Sequence, residues 1–463
     1  MKNRFINTTI TIVLLLSVAG MSSCKKLIGI PGNPPTMLTN DQQFKDSASI
    51  MAVVAGVYNY VSYGSGFGYN DALLTRCTGL SSDEIAFTDV TQPDLLAFFN
   101  YGLSPINTTN GPLWSGPYAG MYSVNAILEQ IAINKSLSTA FRTQLNGELK
   151  VVRALYYFYL VNLYGGVPIV TSSDYNVTAR LPRASVDSVY TQIMNDLSDA
   201  TKALTADYPA NGKVRPNIYT ALALQAKVEL YRKNWQAAYD AANVVITSGG
   251  YSLETDLNNV FLDGSTEAIW QLPATGCCSV TQDAQYFIPY GGNVPTYPMT
   301  SFLLGAFETG DQRFQNWVAI STVGSQNLYY PYKYKVKYPN GSTIEDYMVL
   351  RLAEQYLIRA EAAAQLGNTG PALDDLNMIR QRAGLTPSPA TDKASILAAI
   401  LRERQVELFT EWGSRWFDLK RMGLASTVLG AEKPNWNPTD TLYPIPNTQR
   451  QLNNLLLQNP GYN

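Results

Sequence analysis

NIYTALALQAKVELYRKNWQAAYDAANVVIT, residues 217–247, reads as two helices and the turn between them. From Asn217 to Lys233, Ala221, Leu224, Val228 and Tyr231 recur at steps of three and four, the spacing of one helix face. Asn234 marks the turn. Trp235 to Thr247 repeats the pattern with Ala238, Ala242 and Val245. Small side chains on both inner faces let two antiparallel helices approach closely.

Two helices in about 30 residues, with alanine at the crossing points, is the tetratricopeptide pattern. It recurs from Val349 to Leu366, breaks at Gly370 and Pro371, and resumes from Ala372 to Ala383. There Ala360, Ala363, Leu366, Ala372, Leu376 and Ile379 take the inward positions. A further helix is predicted from Lys393 to Thr410. Upstream, Trp114, Tyr118, Met121, Asn125 and Leu128 share a face in a helix starting at Gly111. Leu145, Leu149, Val152, Tyr156, Tyr159 and Leu163 form the stripe of another, Thr139 to Tyr164, stopped by Gly165, Gly166 and Pro168. The irregular spacing of these units argues against a bare superhelix. Between Tyr251 and Met348 the helical period vanishes and Gly, Pro, Tyr and Thr rise. Tyr329 to Tyr338, YYPYKYKVKY, alternates in the manner of a short strand.

The first 26 residues, MKNRFINTTITIVLLLSVAGMSSCKK, carry Lys2 and Arg4, an apolar run from Ile10 to Ala19, and small residues leading to Cys24. That is the build of a secretory signal ending at a cysteine. The run is shorter than the roughly 20 residues a membrane-spanning helix needs. The junction resembles a bacterial lipoprotein site, with Cys24 the acylated residue. Acyl chains there give stable anchoring and an extracytoplasmic location. GIPGNPPT, within the following segment, reads as a flexible tether.

Composition excludes several classes. With 34 Lys plus Arg against 36 Asp plus Glu, and no basic run, the chain has no electrostatic footprint for nucleic acid. Histidine is absent, which removes the commonest general base, the commonest metal ligand and every Ser-His or Cys-His nucleophile. No metal site and no cofactor are expected. Cys77, Cys277 and Cys278 leave one thiol over in any pairing: a vicinal bridge between the adjacent two, or one of them with Cys77. Glu403, Glu407 and Glu411 step by four and alternate with Arg402, Arg404 and Arg415. This reads as an ion-pair network, because an Arg partner depresses a carboxylate's pKa and unsuits it for general acid work. Glu148 and Arg153 read as a second structural pair. Asp83 and Glu84 are weaker candidates for ligand hydroxyls or calcium. No catalytic residue is assigned.

Four stretches carry a resemblance: GELKVVRALYYFYLVNLYGGVPIV (147–170), VLRLAEQYLIRAEAAAQLG (349–367), LRERQVELFTEWGSRWFDLKRMG (401–423) and LYPIPNTQRQLNNLLLQNPGYN at the C-terminus. Together with the SSCKK junction, they make the chain resemble the RagB/SusD family of outer-membrane nutrient-uptake lipoproteins. The resemblance implies a mainly α fold: tetratricopeptide-like helical pairs forming a scaffold, with a less regular, loop-rich ligand-binding half containing a few short strands. The expected organisation is a signal peptide at 1–23, lipidated Cys24 and tether at 24–40, and one domain at 41–463. Its helical repeats cover 41–250 and 349–423, its insert 251–348, and its tail 424–463. The resemblance further implies lipid anchoring in the outer membrane, facing outward, and a SusC-like TonB-dependent transporter as partner. The ligand it implies is an oligosaccharide, with peptide as the alternative. A carboxylate-based glycosidase is the remaining rival.

A sugar ring presents an apolar C–H face that a flat aromatic covers, and a hydroxyl rim for polar side chains. Trp114, Trp235, Trp412 and Trp416 fall in helical motifs and read as packing. The candidates for ligand contact are Tyr63, Phe67 and Tyr69 in the early YGSGFGY loop, and Tyr286, Tyr290, Tyr297 and Trp317 in the insert. Phe98, Phe99 and Tyr101, with Asn100 and Asn107, form a further irregular stretch.

Overall fold

The computed structural model describes residues 44–62, 72–274, 280–339, 341 and 343–462. The chain divides into a short unit, Met1–Val53, and a large one, Val54–Asn463. The described residues of the short unit contain the start of α1 (Ser47–Ser62). Everything below concerns the large unit. Cys24, Tyr63, Phe67, Tyr69, Cys277 and Cys278 lie outside the described residues.

The fold is mainly α. The first helices are α2 (Leu73–Ser81), α3 (Pro93–Phe99), α4 (Asn110–Ile133), α5 (Thr139–Tyr164), α6 (Val186–Ala203), α7 (Ile218–Tyr231) and α8 (Trp235–Thr247). The insert holds β1 (Ala268–Pro273), α9 (Gln282–Phe287), α10 (Gln312–Trp317), β2 (Val318–Val323), β3 (Gln326–Pro331) and β4 (Asp346–Arg351). The scaffold resumes with α11 (Leu352–Gln365), α12 (Thr369–Arg382), α13 (Lys393–Glu407), α14 (Ser414–Arg421) and α15 (Ala425–Glu432).

Helix termini follow local sequence. Ser138 caps α5 by accepting from the Phe141 amide, and Asn217 with Thr220 forms a capping box on α7. Asp392 and Ser395 do the same for α13. The two helical pairs read from sequence share one turn geometry, and in the second the turn comes before the expected break: Gly370 and Pro371 lie in the first turn of α12. Asn234 and Asn368 both sit at φ −85°, ψ 71°, each after a left-handed residue, Lys233 or Gly367. In each turn the Asn amide bonds back to a carbonyl five residues earlier, at 2.9 Å. α8 packs directly on α11, so the two pairs are neighbours and the insert is an excursion from a continuous helical array. At Gly120 of α4, a Cβ would lie 2.5 Å from the Tyr156 hydroxyl of α5. Glycine is required there for the two helices to meet.

The insert differs from its sequence reading. β1 pairs with β4 and β2 with β3, both antiparallel. The expected strand at Tyr329–Tyr338 is realised only to Pro331, as part of β3. Val349 to Arg351, expected to open a helix, instead finish β4, which is buried along its whole length. A short apolar run does not distinguish a buried strand from a buried helix. Leu257, Val260, Phe261, Ala268, Ala284, Met299, Leu303, Trp317 and Met348 form the insert's core, and Phe409 from the scaffold joins it.

Insert and scaffold meet at buried charge. Arg351, the last residue of β4, donates to Glu267 and Glu407 from Nη1 at 2.8 and 2.6 Å, and to Glu411 from Nε at 2.8 Å. Arg313 of α10 bonds Asp311, Glu403 and Glu407. Arg382 bonds Glu267 and Glu407, and Lys333 bonds Glu411. The Glu403–Glu407–Glu411 row is therefore an ion-pair network, but its cations are not the interleaved arginines: Arg402 donates to the Ala306 carbonyl, Arg404 pairs with Asp418 and Arg415 with Asp83. Burial opposes the charge on Glu407, but Arg382, Arg351 and Arg313 outweigh it and hold its carboxyl well below the usual range. Arg404 and Arg421 likewise overcome burial at Asp418 and bring it to about 2.

Glu148 and Arg153 are both buried, but they do not pair with each other. Glu148 binds Arg215 and accepts from the Tyr58 hydroxyl, and Arg153 binds Asp196. Five residues apart on a helix, they point to different neighbours.

Arg351→Met leaves three buried carboxylates short of a cation. It is expected to cost about 3–5 kcal/mol in denaturant unfolding; a loss below about 1 kcal/mol contradicts this account of the network. Asp418 has a depressed pKa in the fold, so its contribution is fully present above about pH 4 and is lost as pH falls through about 2. Unfolding midpoints followed from pH 6 downward should decline over that window, and a declining slope absent in Asp418→Asn identifies the group.

Candidate functional site

A cavity of about 680 Å³ opens where the insert meets the N-terminal helices. α9 begins at the N-cap Thr281, which accepts from the Ala284 amide. Its positions 282, 285 and 286 share one face, so Gln282, Gln285 and Tyr286 line the cavity together. Gly291 and Gly292, at φ 51° and 72°, turn the chain so that Tyr290 and Asn293 both face it. α2 contributes Arg76, and the segment after β3 contributes Lys337 and Tyr338. The two sides are tied by backbone pairing: the Ala86 amide donates to the Pro298 carbonyl at 2.8 Å and Thr88 to Thr296 at 3.1 Å.

Each of two tyrosine rings is backed by a cation. The Arg76 guanidinium lies 3.6 Å from the centre of the Tyr286 ring, and the Lys337 ammonium 3.7 Å from that of Tyr290. Tyr290 and Tyr338 are 60% and 61% exposed, and their centroids stand 6.3 Å apart. Tyr286 is half-buried. Gln282, Gln285, Asn293 and Thr296 place amides and a hydroxyl beside these rings. The lining contains no Asp or Glu among the described residues.

The sequence-predicted aromatics divide. Tyr286 and Tyr290 stand in the cavity with accessible surface. Tyr297 lines it but is only 2% exposed. Its ring packs between Phe87 and Phe287 and its hydroxyl takes a hydrogen bond from Arg76 at 3.0 Å, so it orients Arg76. Trp317 is a correction. It is 0% exposed, its indole N–H donates to the Leu257 carbonyl at 2.9 Å, and its ring lies against Phe261 and Phe409. No ligand reaches it; composition placed it in a loop-rich segment, and packing made it the centre of that segment's core. Phe98 is likewise fully buried, against Tyr443.

Asp83 and Glu84 are also interior. Asp83 is held by Arg415 at 2.5 Å, and burial beside Asp83 raises Glu84 to about 8. Cys77 is a free buried thiol, so of the two alternatives read from sequence the one that pairs it with Cys277 or Cys278 does not hold. Among the described residues no cluster of acids and cysteines fits a metal. Sequence reasoning missed Arg76, Lys337 and Tyr338. Only Tyr338 left a signal, as the last aromatic of YYPYKYKVKY before Pro339. A second cavity, about 630 Å³ along α13, has no aromatic lining.

The comparisons with known proteins fit this architecture. A profile described as the SusD family matches residues 315–462, and one described as starch-binding, associating with outer membrane, matches 39–230. SusD-like protein P38 of Formosa agariphila is 24% identical, over 92% of this chain and 93% of its own. A SusD superfamily protein from Bacteroides vulgatus superposes with a TM-score of 0.81 at 21% identity, covering 90% of this chain and 100% of that one. A laminarin-binding SusD-like protein gives 0.77 at 24%, with 90% and 99% covered. At these identities the structural likeness speaks for the fold.

Trp317→Ala is expected to destabilise the protein by about 3–5 kcal/mol. Tyr290→Ala should change stability by less than about 1 kcal/mol, because the ring is mostly exposed. Parallel denaturation curves check the contrast; equal losses contradict the assignment of core and surface.

Proposed function

The chain belongs to the SusD/RagB family, and on that premise we propose that it is a surface carbohydrate-binding protein that captures an oligosaccharide for uptake. The observation that carries this reading is the cavity with Tyr286, Tyr290 and Tyr338 around a rim of amides. Sugar C–H faces stack on the rings, and Gln282, Gln285 and Asn293 bond the hydroxyls. The laminarin-binding relative and the starch-binding description of the matching profile support the ligand class.

Stacking on aromatics is worth roughly 1–3 kcal/mol per ring in nucleic-acid systems. Two or three such contacts give modest affinity, which suits a protein that must release its cargo. The action is binding and hand-over with no bond broken. Two observations favour it over hydrolysis: among the described residues the cavity lining lacks a carboxylate, and the acids of the 403–418 cluster are committed to arginines. Cys24 anchors the protein by acyl chains in the outer membrane, facing outward, and the receiving partner is a SusC-like TonB-dependent transporter.

Binding to a panel of polysaccharides and peptides tests this. Saturable binding to one glycan class is expected, with no release of reducing ends. Tyr290→Ala and Tyr286→Ala should each weaken it roughly tenfold. Binding to peptides alone, or new reducing ends, overturns the reading.

A further inference from the structure

We propose that this cavity selects acidic oligosaccharides, glycans that carry carboxylate or sulfate groups. The inference rests on the carbohydrate reading above. Its basis is the charge lining the cavity: two cations, Arg76 and Lys337, and no Asp or Glu among the described residues. The chain as a whole is slightly acidic, with 36 acids against 34 bases, so this lining departs from its surroundings.

Lys337 is the sharper case. It is 5% exposed, and its ammonium donates to the backbone carbonyls of Gln285, at 3.1 Å, and Ile288. Those partners are neutral. Among the described residues no ion pair includes Lys337, whereas Arg313, Arg351, Arg415 and Arg421 each hold carboxylates. Burial pushes the Lys337 pKa down, with no anion to offset it. An anionic substituent in the cavity supplies that offset in a low-dielectric setting, where charge-assisted hydrogen bonds are strong.

The rings point the same way. A cation beneath one face of an aromatic ring draws on the negative potential of its π system. With Arg76 under Tyr286 and Lys337 under Tyr290, the open faces are left less negative. Such faces suit an electron-rich or anionic sugar and disfavour a cationic one.

Affinity measurements on the full chain with matched probes test the proposal. The pairs are oligogalacturonate with its methyl ester, and a sulfated carrageenan oligosaccharide with its desulfated form; laminari-oligosaccharide is the neutral control. At least one acidic probe is expected to bind roughly tenfold or more tightly than its neutral counterpart. That preference should shrink as salt rises. Lys337→Met should remove most of it, and Lys337→Arg should restore it. Asn293→Asp, on the exposed rim, adds a negative charge without altering the buried lysine, and should weaken the acidic probe several-fold. This second variant keeps the test open if Lys337→Met does not fold. Equal affinity within every pair, or tighter and salt-independent binding of a neutral glycan, overturns the acidic preference and leaves carbohydrate binding intact. Binding to none of these or other glycans overturns both.

Discussion

The interaction on which the rest depends is the buried contact of Arg351 with Glu267, Glu407 and Glu411. Its members come from the start and end of the insert and from the end of α13 and the turn beyond it. Burying charge is expensive unless every ion is paired and its hydrogen-bonding capacity is used. Here Glu407 is shared by Arg313, Arg351 and Arg382, and Lys333 closes the far side by bonding Glu411. The arrangement is directional, as hydrophobic contact is not, so it fixes how the insert docks on the helices. Thr410, Trp412 and Gly413 all have positive φ in the turn that presents Glu411. That strained turn is held by bonds from the Thr410 amide to Glu84 and from the Trp412 indole to the Met348 carbonyl.

Trp317 shows how the network and the hydrophobic core act as one. The Lys333 ammonium lies 4.8 Å from its ring and 4.0 Å from that of Phe409. Arg351 and Arg382 stand 5.9 and 5.7 Å from the indole. The apolar core thus ends on the charged layer with aromatic faces turned to cations, an arrangement that favours both sides of the boundary. The cavity lies outside this layer. Its walls are held by backbone pairing between residues 86–88 and 296–298, and by cations stacked on rings. The residues that line it take no part in the ion network.

How legible this was in the sequence depended on range. The helical pairs at 217–247 and 352–382 were readable because periodicity is local, and α5 and α8 begin and end where their patterns do, whereas the second turn lies at Asn368 and not at the expected Gly370 and Pro371. The charged row at 403–411 was readable as a network but not in its partners: the interleaved Arg404 and Arg415 pair with Asp418 and Asp83, and Arg313, Arg351 and Arg382 arrive from elsewhere in the chain. Glu148 and Arg153 looked like partners through sequence proximity, while their real partners, Arg215 and Asp196, are more than 40 residues away. At the site, α9 and the Gly291-Gly292 turn bring Tyr286 and Tyr290 together, and both were named from composition. Arg76 was invisible, because nothing local marks a helical arginine as the backing of a ring 210 positions along the chain.

Buried cations do opposite work in the two places. In the network each arginine is paired with carboxylates supplied by the fold. In the cavity the lysine is held by carbonyl dipoles and a ring face, which position it but leave its net charge in place. Carbonyl oxygens satisfy its protons; they do not cancel its charge. A fold that surrounds buried arginines with acids at one interface surrounds a buried lysine with neutral oxygens at a cavity wall, and so retains a positive charge there. On the proposed reading, the aromatic faces provide contact for many sugars and the charge behind them discriminates among those sugars.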